Sequence, residues 1–180
     1  MLLVCALNEE LPGHDKLITG VGKVNATLAL TRRLASGPLP EAVINLGSAG
    51  GVELPTGAVV AASAFYQWDM RCEGLGLERG QTPFEEGQAV LRPTLRVIDR
   101  LQQAPAYTGD AFFDDPGEHP PGPCLLEMEA YALAKVCAAF GVPFAAYKFV
   151  SDGADGSAGH DWPSALAACG QALSDLAFRL

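Results

Sequence analysis

Apolar residues in this chain fall into short continuous runs, separated by glycines, prolines and charged residues. Runs of this kind, in which apolar and polar positions do not alternate, are typical of strands covered on both faces. The predicted strands are "MLLVCAL", "KLITG", "EAVINLGSAGG", "GAVVAASAFYQW", "AYTGDAFF", "CLL" and "PFAAYKFV".

Four of the intervening stretches predict helices. The first is "VGKVNATLALTRRLASG", in which Val24, Leu28 and Leu34 fall near one helical face. The others are "RPTLRVIDRLQQ", "AYALAKVCAAFG" ending on Gly141, and "WPSALAACGQALSDLAFRL" opened by Pro163. Strands that alternate with helices predict an α/β protein with a twisted, mostly parallel (mixed) central sheet flanked by helices.

The length of the chain and the absence of a linker predict one domain over residues 1–180. Residues 73–89 and the proline-rich stretch "DDPGEHPPGP" (114–123) are expected to be irregular loops. An apolar content of 49% with only 18% charged residues is sufficient for a sizeable core.

The charge balance bears on the partners of the protein. Twelve Lys and Arg against 21 Asp and Glu give a net charge of -9, which disfavours nucleic acid and anionic lipid as partners. The apolar N-terminus stops at "NEE", too short for a signal core or a membrane span. Five widely separated cysteines without a C-x-x-C pair indicate buried thiols in a reducing compartment. We therefore expect a cytoplasmic protein.

Acids and glycines follow the predicted strands, and in open α/β sheets the ligand binds beyond the carboxyl ends of the strands. The residues at these ends are Asn8, Glu9, Glu10, Gly20, Gly22, Gly47, Ser48, Gly50, Gly51, Asp110, Phe112, Glu127, Met128, Glu129, Ser151, Asp152 and Asp155. Many acids and few cations predict a ligand with hydroxyls and protonatable nitrogens. The glycines form neither a Walker loop nor G-x-G-x-x-G, and the three histidines have no metal-ligand spacing, so neither metal nor cofactor is expected.

Five motifs carry a resemblance to a known family. They are "ITGVGKVNAT", "NLGSAGG", "GDAF", "LLEMEAYALA" and "FVSDGAD". In order and context they resemble the purine nucleoside phosphorylase and nucleosidase superfamily, above all the methylthioadenosine/S-adenosylhomocysteine nucleosidases. The resemblance implies a nucleoside phosphorylase-like fold, a homodimer, and hydrolysis of the N-glycosidic bond of an adenine nucleoside. One departure is that "LPGHD" stands where such proteins have an additional hairpin.

The resemblance also implies roles for particular residues. Asp152 would face the purine N7, and Glu129 would hold the ribose hydroxyls with Met128 packed on the sugar. Glu10, with Glu9 as the neighbouring alternative, would activate water.

Other matching positions would line the substrate. Phe112 would stack on the purine, and Trp162 would border the substituent on the 5' carbon. Ser48, Ser151 and Gly50 lie in the matching motifs and are expected in the substrate site, where the glycine leaves space for sugar and water.

The chemistry of N-glycosidic cleavage gives separate reasons for these residue types. Purine is a poor leaving group as an anion, so a general acid at N7 helps the bond to break. The apolar neighbours of Asp152 favour its protonated form, because desolvation penalises a charge. A second carboxylate can stabilise the cationic sugar while it takes a proton from water. Each acid also has a structural interpretation, as a helix cap or a solvated group.

Three other functions are consistent with the same motifs. A nucleoside phosphorylase would need a basic phosphate pocket. A futalosine-type hydrolase would be expected to read its purine with an amide. A non-catalytic nucleoside-binding protein would keep the fold without turnover.

The segment around Phe65, Tyr66 and Trp68 is a candidate subunit contact.

Overall fold

The computed structural model describes residues 1–86, 89–112, 119–156 and 158–180. Its strands are β1 (Leu2–Cys5), β2 (Leu17–Ile18), β3 (Val43–Val52), β4 (Val59–Gln67), β5 (Val90–Leu91), β6 (Gln103–Thr108), β7 (Cys124–Glu127) and β8 (Phe144–Asp152). Its helices are α1 (Lys23–Ala35), α2 (Ala130–Phe140) and α3 (Ala158–Ala177), with 3-10 turns at Asn8–Glu10 and Glu73–Leu75. None of the helices in the described part of the chain is long and apolar enough to cross a membrane.

The strands form one mixed sheet of eight strands. Parallel pairs are β1–β2, β1–β3, β3–β8, β4–β6 and β6–β7, whereas β3–β7, β4–β5 and β4–β8 are antiparallel. Strand β3 pairs along its length with β8 and, through Gly50–Val52, with β7. The pairings β3–β8–β4–β6–β7–β3 therefore close into a ring of five strands, which the predicted mostly parallel sheet did not anticipate.

Helices cover both faces of β3 and β8. Along β3, Val43 belongs to the core under α1 and α2, whereas Ile44 belongs to the core under α3. Along β8, Ala146 and Tyr147 divide between the two cores in the same way. Burial on both faces explains the continuous apolar runs and confirms the α/β assignment.

The predicted helix at residues 92–103 is absent. The structure has an irregular segment there, which leads into β6 at Gln103. Thr94 ties the segment to β8, because Phe144 N donates to its Oγ1 at 2.9 Å and its own N donates to Phe144 O at 2.9 Å. Apolar side chains of the segment pack against the core under α3, namely Leu95, Val97, Ile98 and Leu101. Their spacing resembles a helical face, but tertiary burial determined the conformation.

Two further predictions about helices need correction. The buried face of α1 consists of Ala26, Leu30 and Leu34, whereas Val24 and Leu28 are exposed by 76% and 56%. Helix α3 begins at Ala158 instead of at the predicted Trp162, so Pro163 lies inside the helix and not in its first turn. The end of α2 is as predicted, since Gly141 caps it with a left-handed φ of 66°. Within the predicted loop at 114–123, residues 114–118 lie outside the described residues.

Candidate functional site

A cavity of about 320 Å³ lies at the carboxyl ends of β1, β6, β7 and β8, beside the second half of β3. Of the residues given a place in the site from sequence, the alternative Glu9 does not line the cavity, whereas nine others do. They are Glu10, Ser48, Gly50, Phe112, Met128, Glu129, Ser151, Asp152 and Trp162. This position is the one expected for a ligand site in an α/β sheet, and the volume is in the range of small-molecule sites.

Glu10 lies in the 3-10 turn after β1 and is only 4% exposed. Its Oε2 accepts hydrogen bonds from Ala6 N at 3.0 Å and Leu7 N at 3.1 Å. Its Oε1 accepts from Ser48 N and Ser48 Oγ, both at 2.8 Å. The short turn thus directs the carboxylate into the cavity and fixes it there, whereas the alternative residue Glu9 is exposed.

Glu129 lies between β7 and α2 and is buried. Its Oε1 accepts a hydrogen bond of 2.8 Å from Gly22 N, just before α1. Burial raises the pKa of Glu129 from its ordinary value of 4.5 to about 7. Lys148 opposes this rise, and the neighbouring charges of Glu127 and Glu10 add to it. The side chain is therefore poised between its neutral and ionised forms near neutral pH.

An ion pair that sequence reasoning did not assign lies under these acids. Lys148 Nζ is 3.0 Å from Glu127 Oε2, and both side chains are 1% exposed. Burial alone would lower the pKa of Lys148, but the charges of Glu127, Glu129 and Glu10 more than offset this, so its pKa is raised. The available signal was a lysine inside the apolar run "PFAAYKFV", because a buried charge requires a partner.

Glu127 also organises the backbone that carries Glu129. Its Oε2 accepts hydrogen bonds from Glu129 N at 3.0 Å and Ala130 N at 2.7 Å. Its Oε1 accepts a hydrogen bond from Thr108 Oγ1, which in turn accepts from Tyr131 N at 2.9 Å. The start of α2 is thereby tied to the end of β6.

Asp152 lines the same cavity at the end of β8 and is buried. Its Oδ2 accepts from Ser151 Oγ at 2.7 Å, and its Oδ1 accepts from Ala154 N at 2.8 Å. Asp155, by contrast, is exposed.

Two aromatic rings and a methionine form the apolar part of the lining. Phe112 is 46% exposed and meets Trp162 edge to face, with ring centroids 6.4 Å apart. Trp162 and Met128 are half-buried. The indole Nε1 of Trp162 donates a hydrogen bond of 3.0 Å to Ser48 Oγ. An apolar ring system beside fixed polar groups is typical of sites for flat organic ligands.

Gly50 lines the cavity and also leaves room for neighbouring protein atoms. A Cβ at Gly50 would lie 2.9 Å from Ala154 Cβ and 3.0 Å from Asp152 Oδ1. The missing side chain therefore makes room for Asp152 and its loop, and clearance for sugar and water stays a prediction. At Gly47 a Cβ would lie 3.2 Å from Glu10 Oε1.

The arrangement places two separately held carboxyl groups, of Glu10 and Asp152, in one partly apolar cavity. Such a pair can deliver a proton to one part of a ligand and stabilise positive charge on another. In the parts of the chain that the structure describes, no group of three or more His, Cys, Asp or Glu is placed to hold a metal ion.

Comparisons with known proteins identify the family. Residues 16–179 match the phosphorylase superfamily. The chain is 34% identical to the 5'-methylthioadenosine/S-adenosylhomocysteine nucleosidase of Shewanella sp. (strain MR-7) over 180 residues, which cover 89% of this chain and 76% of the relative.

Solved structures share the fold. The 5'-methylthioadenosine/S-adenosylhomocysteine nucleosidase of Neisseria meningitidis, in complex with methylthio-immucillin-A, is similar with a TM-score of 0.80 at 22% identity, covering 99% of this chain and 98% of that one. The futalosine hydrolase of Helicobacter pylori strain 26695 reaches 0.79 at 20% identity, covering 99% and 97%. The family match and the sequence relative confirm the resemblance: the chain belongs to the phosphorylase superfamily and, within it, to the 5'-methylthioadenosine/S-adenosylhomocysteine nucleosidase family.

Proposed function

We propose that this protein hydrolyses the N-glycosidic bond of a 5'-substituted adenine nucleoside, such as methylthioadenosine or S-adenosylhomocysteine. The products are adenine and the free ribose derivative. The observation that carries the proposal is the pair of buried carboxyl groups, Glu10 and Asp152, that line one cavity. The family named above supplies the substrate class.

At the base side, Asp152 donates a proton to the purine N7, so that adenine leaves as a neutral molecule. Ser151 supports this role, because its hydroxyl donates to Asp152 Oδ2 at 2.7 Å and orients the carboxyl. Phe112 stacks on the purine. A carboxyl group can also accept a hydrogen bond from the exocyclic amine of adenine, which favours a 6-aminopurine.

At the sugar side, Glu129 accepts hydrogen bonds from the ribose hydroxyls while Met128 packs on the ring. Cleavage leaves positive charge on the sugar, and the neighbouring acids stabilise it. Glu10 takes a proton from the attacking water, whose oxygen bonds to the anomeric carbon. Burial of Glu10 and exposure of Glu9 support Glu10 in this role.

Water is favoured over phosphate as the nucleophile. Among the described residues that line the cavity there is no Lys or Arg, whereas Glu10, Glu127, Glu129 and Asp152 are all present. The one lysine nearby, Lys148, is already paired with Glu127. A phosphate dianion would therefore meet like charges without a cation to offset them.

The test is adenine release from a panel of nucleosides, measured with and without phosphate. We expect release from methylthioadenosine or a related 5'-substituted adenosine in both conditions. Strict dependence on phosphate would identify a phosphorylase, and tight binding without release would identify a binding protein. Preference for futalosine would assign the protein to the other hydrolase class that shares this fold.

We also propose that the protein is a cytoplasmic homodimer. The five cysteines are free thiols, as in proteins of reducing compartments. The candidate contact at Phe65, Tyr66 and Trp68 is largely occupied within the chain, because Phe65 is buried and Tyr66 stacks on Tyr107.

Exposed apolar side chains at Val21, Val24 and Leu28 offer a better subunit contact. Val21 also lines the cavity, which would bring a second subunit close to the site. Analytical ultracentrifugation should show a dimer that Val24→Glu with Leu28→Glu dissociates. The exposed Leu39→Glu is the control and should remain dimeric. A native monomer would refute the dimer.

A further inference from the structure

A chain of hydrogen bonds runs from the aromatic part of the cavity to Glu10. Trp162 Nε1 lies 3.0 Å from Ser48 Oγ, and this oxygen lies 2.8 Å from Glu10 Oε1. The resemblance to nucleosidases gave Trp162 only an apolar role beside the 5' substituent. The hydrogen bond from its indole nitrogen is a separate observation, because an apolar contact with the 5' substituent does not require an N–H group.

The direction of this chain follows from the chemistry of the groups. An indole N–H can only donate, so Ser48 Oγ must be the acceptor of the bond from Trp162. The single hydroxyl proton of Ser48 is then free to point at Glu10, which accepts it when ionised. Donation into a hydroxyl oxygen also strengthens the hydrogen bond that the hydroxyl itself donates.

Ser48 differs from the other donors to Glu10. Of the hydrogen bonds that Glu10 accepts from described residues, three come from backbone N–H groups, of Ala6, Leu7 and Ser48. Backbone groups in this position cannot rotate, whereas the Ser48 hydroxyl can turn about its Cβ–Oγ bond. The Ser48 hydroxyl is therefore the one adjustable donor to Glu10 among the described residues, and the hydrogen bond from Trp162 sets its direction.

The contact between Trp162 and Phe112 defines the orientation of the indole. The two rings meet at an interplanar angle of 69°, in the edge-to-face range. Phe112 lies in the loop after β6, whereas Trp162 lies on α3. The ring contact and the Ser48 hydrogen bond thus link two separate elements to the acid that follows β1.

We propose that Trp162 is a positioning residue for the hydrolytic reaction, acting through the Ser48 hydroxyl to hold Glu10 in the geometry that activates water. The proposal rests on the proposed function and adds to it a determinant of turnover. It assigns the indole N–H, and not only the ring, a part in the reaction. Replacement by Phe keeps an apolar ring and removes only the donor.

Kinetics of Trp162→Phe distinguish this positioning role from a simple apolar contact with the 5' substituent. We expect kcat for methylthioadenosine to fall about threefold to tenfold, the range for one neutral hydrogen bond, with KM within twofold of native. If Trp162 only contacts the 5' substituent, Trp162→Phe should instead change KM, and the change should be greater for larger 5' substituents. The matched control is Trp68→Phe, because Trp68 is the other tryptophan and does not line the cavity.

A double-mutant cycle tests whether Trp162 acts through Ser48. Ser48→Ala should lower kcat, and Trp162→Phe should then have almost no additional effect in the Ser48→Ala background. Independent roles would instead give effects that multiply. Multiplying effects would overturn the proposal even if each single variant lost activity.

Nuclear magnetic resonance tests the same chain without relying on turnover. Protein labelled with nitrogen-15 has two indole N–H signals, from Trp68 and Trp162, which Trp68→Phe assigns. Ser48→Ala should shift the Trp162 signal and speed its exchange with water, whereas Ser48→Thr, which keeps the hydroxyl, should not. The Trp68 signal should stay unchanged in both variants.

The outcomes distinguish the two proposals. Failure of the native protein to release adenine would refute the proposed function, and the indole signals would still show whether the Trp162–Ser48 bond exists. Native turnover with an unchanged kcat in Trp162→Phe would refute only the positioning role. A Trp162 signal that does not respond to Ser48→Ala would also refute that role. This test does not need Trp162→Phe, so it still applies if that variant fails to fold.

Discussion

Two regions of the cavity lining hold their carboxyl groups in different ways. In one region, Glu10, Glu127 and Glu129 lie close enough to a single cation, Lys148, that all three raise its pKa. In the other region, the donors that hold Asp152 among the described residues are neutral groups, of Ser151 and Ala154. In the proposed reaction, excess negative charge would lie where positive charge develops on the sugar, and the proton donor would have no cation among the described residues as a partner. A cation beside a carboxyl group favours the carboxylate and would oppose its use as a general acid.

The largest expected effect on turnover comes from replacing Asp152, the carboxyl group that neutral donors hold. Asp152→Asn should lower kcat for adenine release by about 10³-fold or more, because an amide cannot donate an acidic proton to N7. Steady-state kinetics and a thermal melt should show lost turnover in a folded protein. The control is Asp155→Asn, at an exposed acid of the same loop, with near-native kinetics expected. Near-native turnover of Asp152→Asn would remove Asp152 from the mechanism.

The second effect is a loss of stability when Lys148, the cation beside the three glutamates, is replaced. Lys148→Met should lower the free energy of unfolding by about 3 to 5 kcal/mol, because it leaves buried carboxylates without their cation. Urea denaturation measures this change. The exposed pair of Lys135 and Glu85 is the matched control, and Lys135→Met should cost about 1 kcal/mol or less. Equal losses of stability in the two variants would contradict the claim that burial makes the Lys148 ion pair costly to break.

A smaller effect distinguishes the two neighbouring acids after β1. Glu10→Gln should lower kcat by about 10²-fold, because an amide cannot take the proton from water. Glu9→Gln should leave kcat unchanged, since Glu9 is exposed. Single-turnover measurements of adenine release would compare the two variants directly. A loss confined to Glu9→Gln would assign the activation of water to Glu9.

The smallest effect is a dependence of stability on pH. The pKa of Glu129 is raised, chiefly by burial, from 4.5 to about 7, so the folded state binds a proton that the unfolded state has lost between these values. The stability that Glu129 contributes is therefore complete below about pH 4.5 and is lost as pH rises toward about 7. Glu129→Gln should flatten this part of the stability profile by about 2 to 3 kcal/mol. Urea denaturation at several pH values tests this, with the exposed Glu41→Gln as the control expected to match native.

Much of the site was predictable because its residues lie in local motifs. "SDGAD" and "LLEME" each contain both the residue and its strand end, so the sheet rule alone brought Asp152 and Glu129 together. The ion pair of Lys148 and Glu127 was missed because it joins two strands, β7 and β8, that no local motif connects, since α2 lies between them in the chain. The hydrogen bond from Trp162 to Ser48 has the same character, since it joins residues 114 positions apart.

The errors in the fold have related physical causes. Residues 92–102 have the apolar spacing of a helix, yet their burial beneath α3 and the bonds of Thr94 to Phe144 outweigh that local preference. The apolar face of α1 was misassigned because Val24 and Leu28 are exposed, although they are as apolar as the residues that the core covers. Local periodicity does not reveal which apolar face has a partner.

The ring of strands β3, β8, β4, β6 and β7 has a consequence for how the protein opens. Strands in a closed ring have hydrogen-bonded neighbours on both sides, so an amide in β3 or β8 can exchange with deuterium only when much of the ring separates. The loops after β1 and β6, which carry Glu10 and Phe112, are outside this ring. Slow exchange in the ring together with fast exchange in these loops would mean that ligands enter through the loops while the strands that carry Ser48 and Asp152 stay in place.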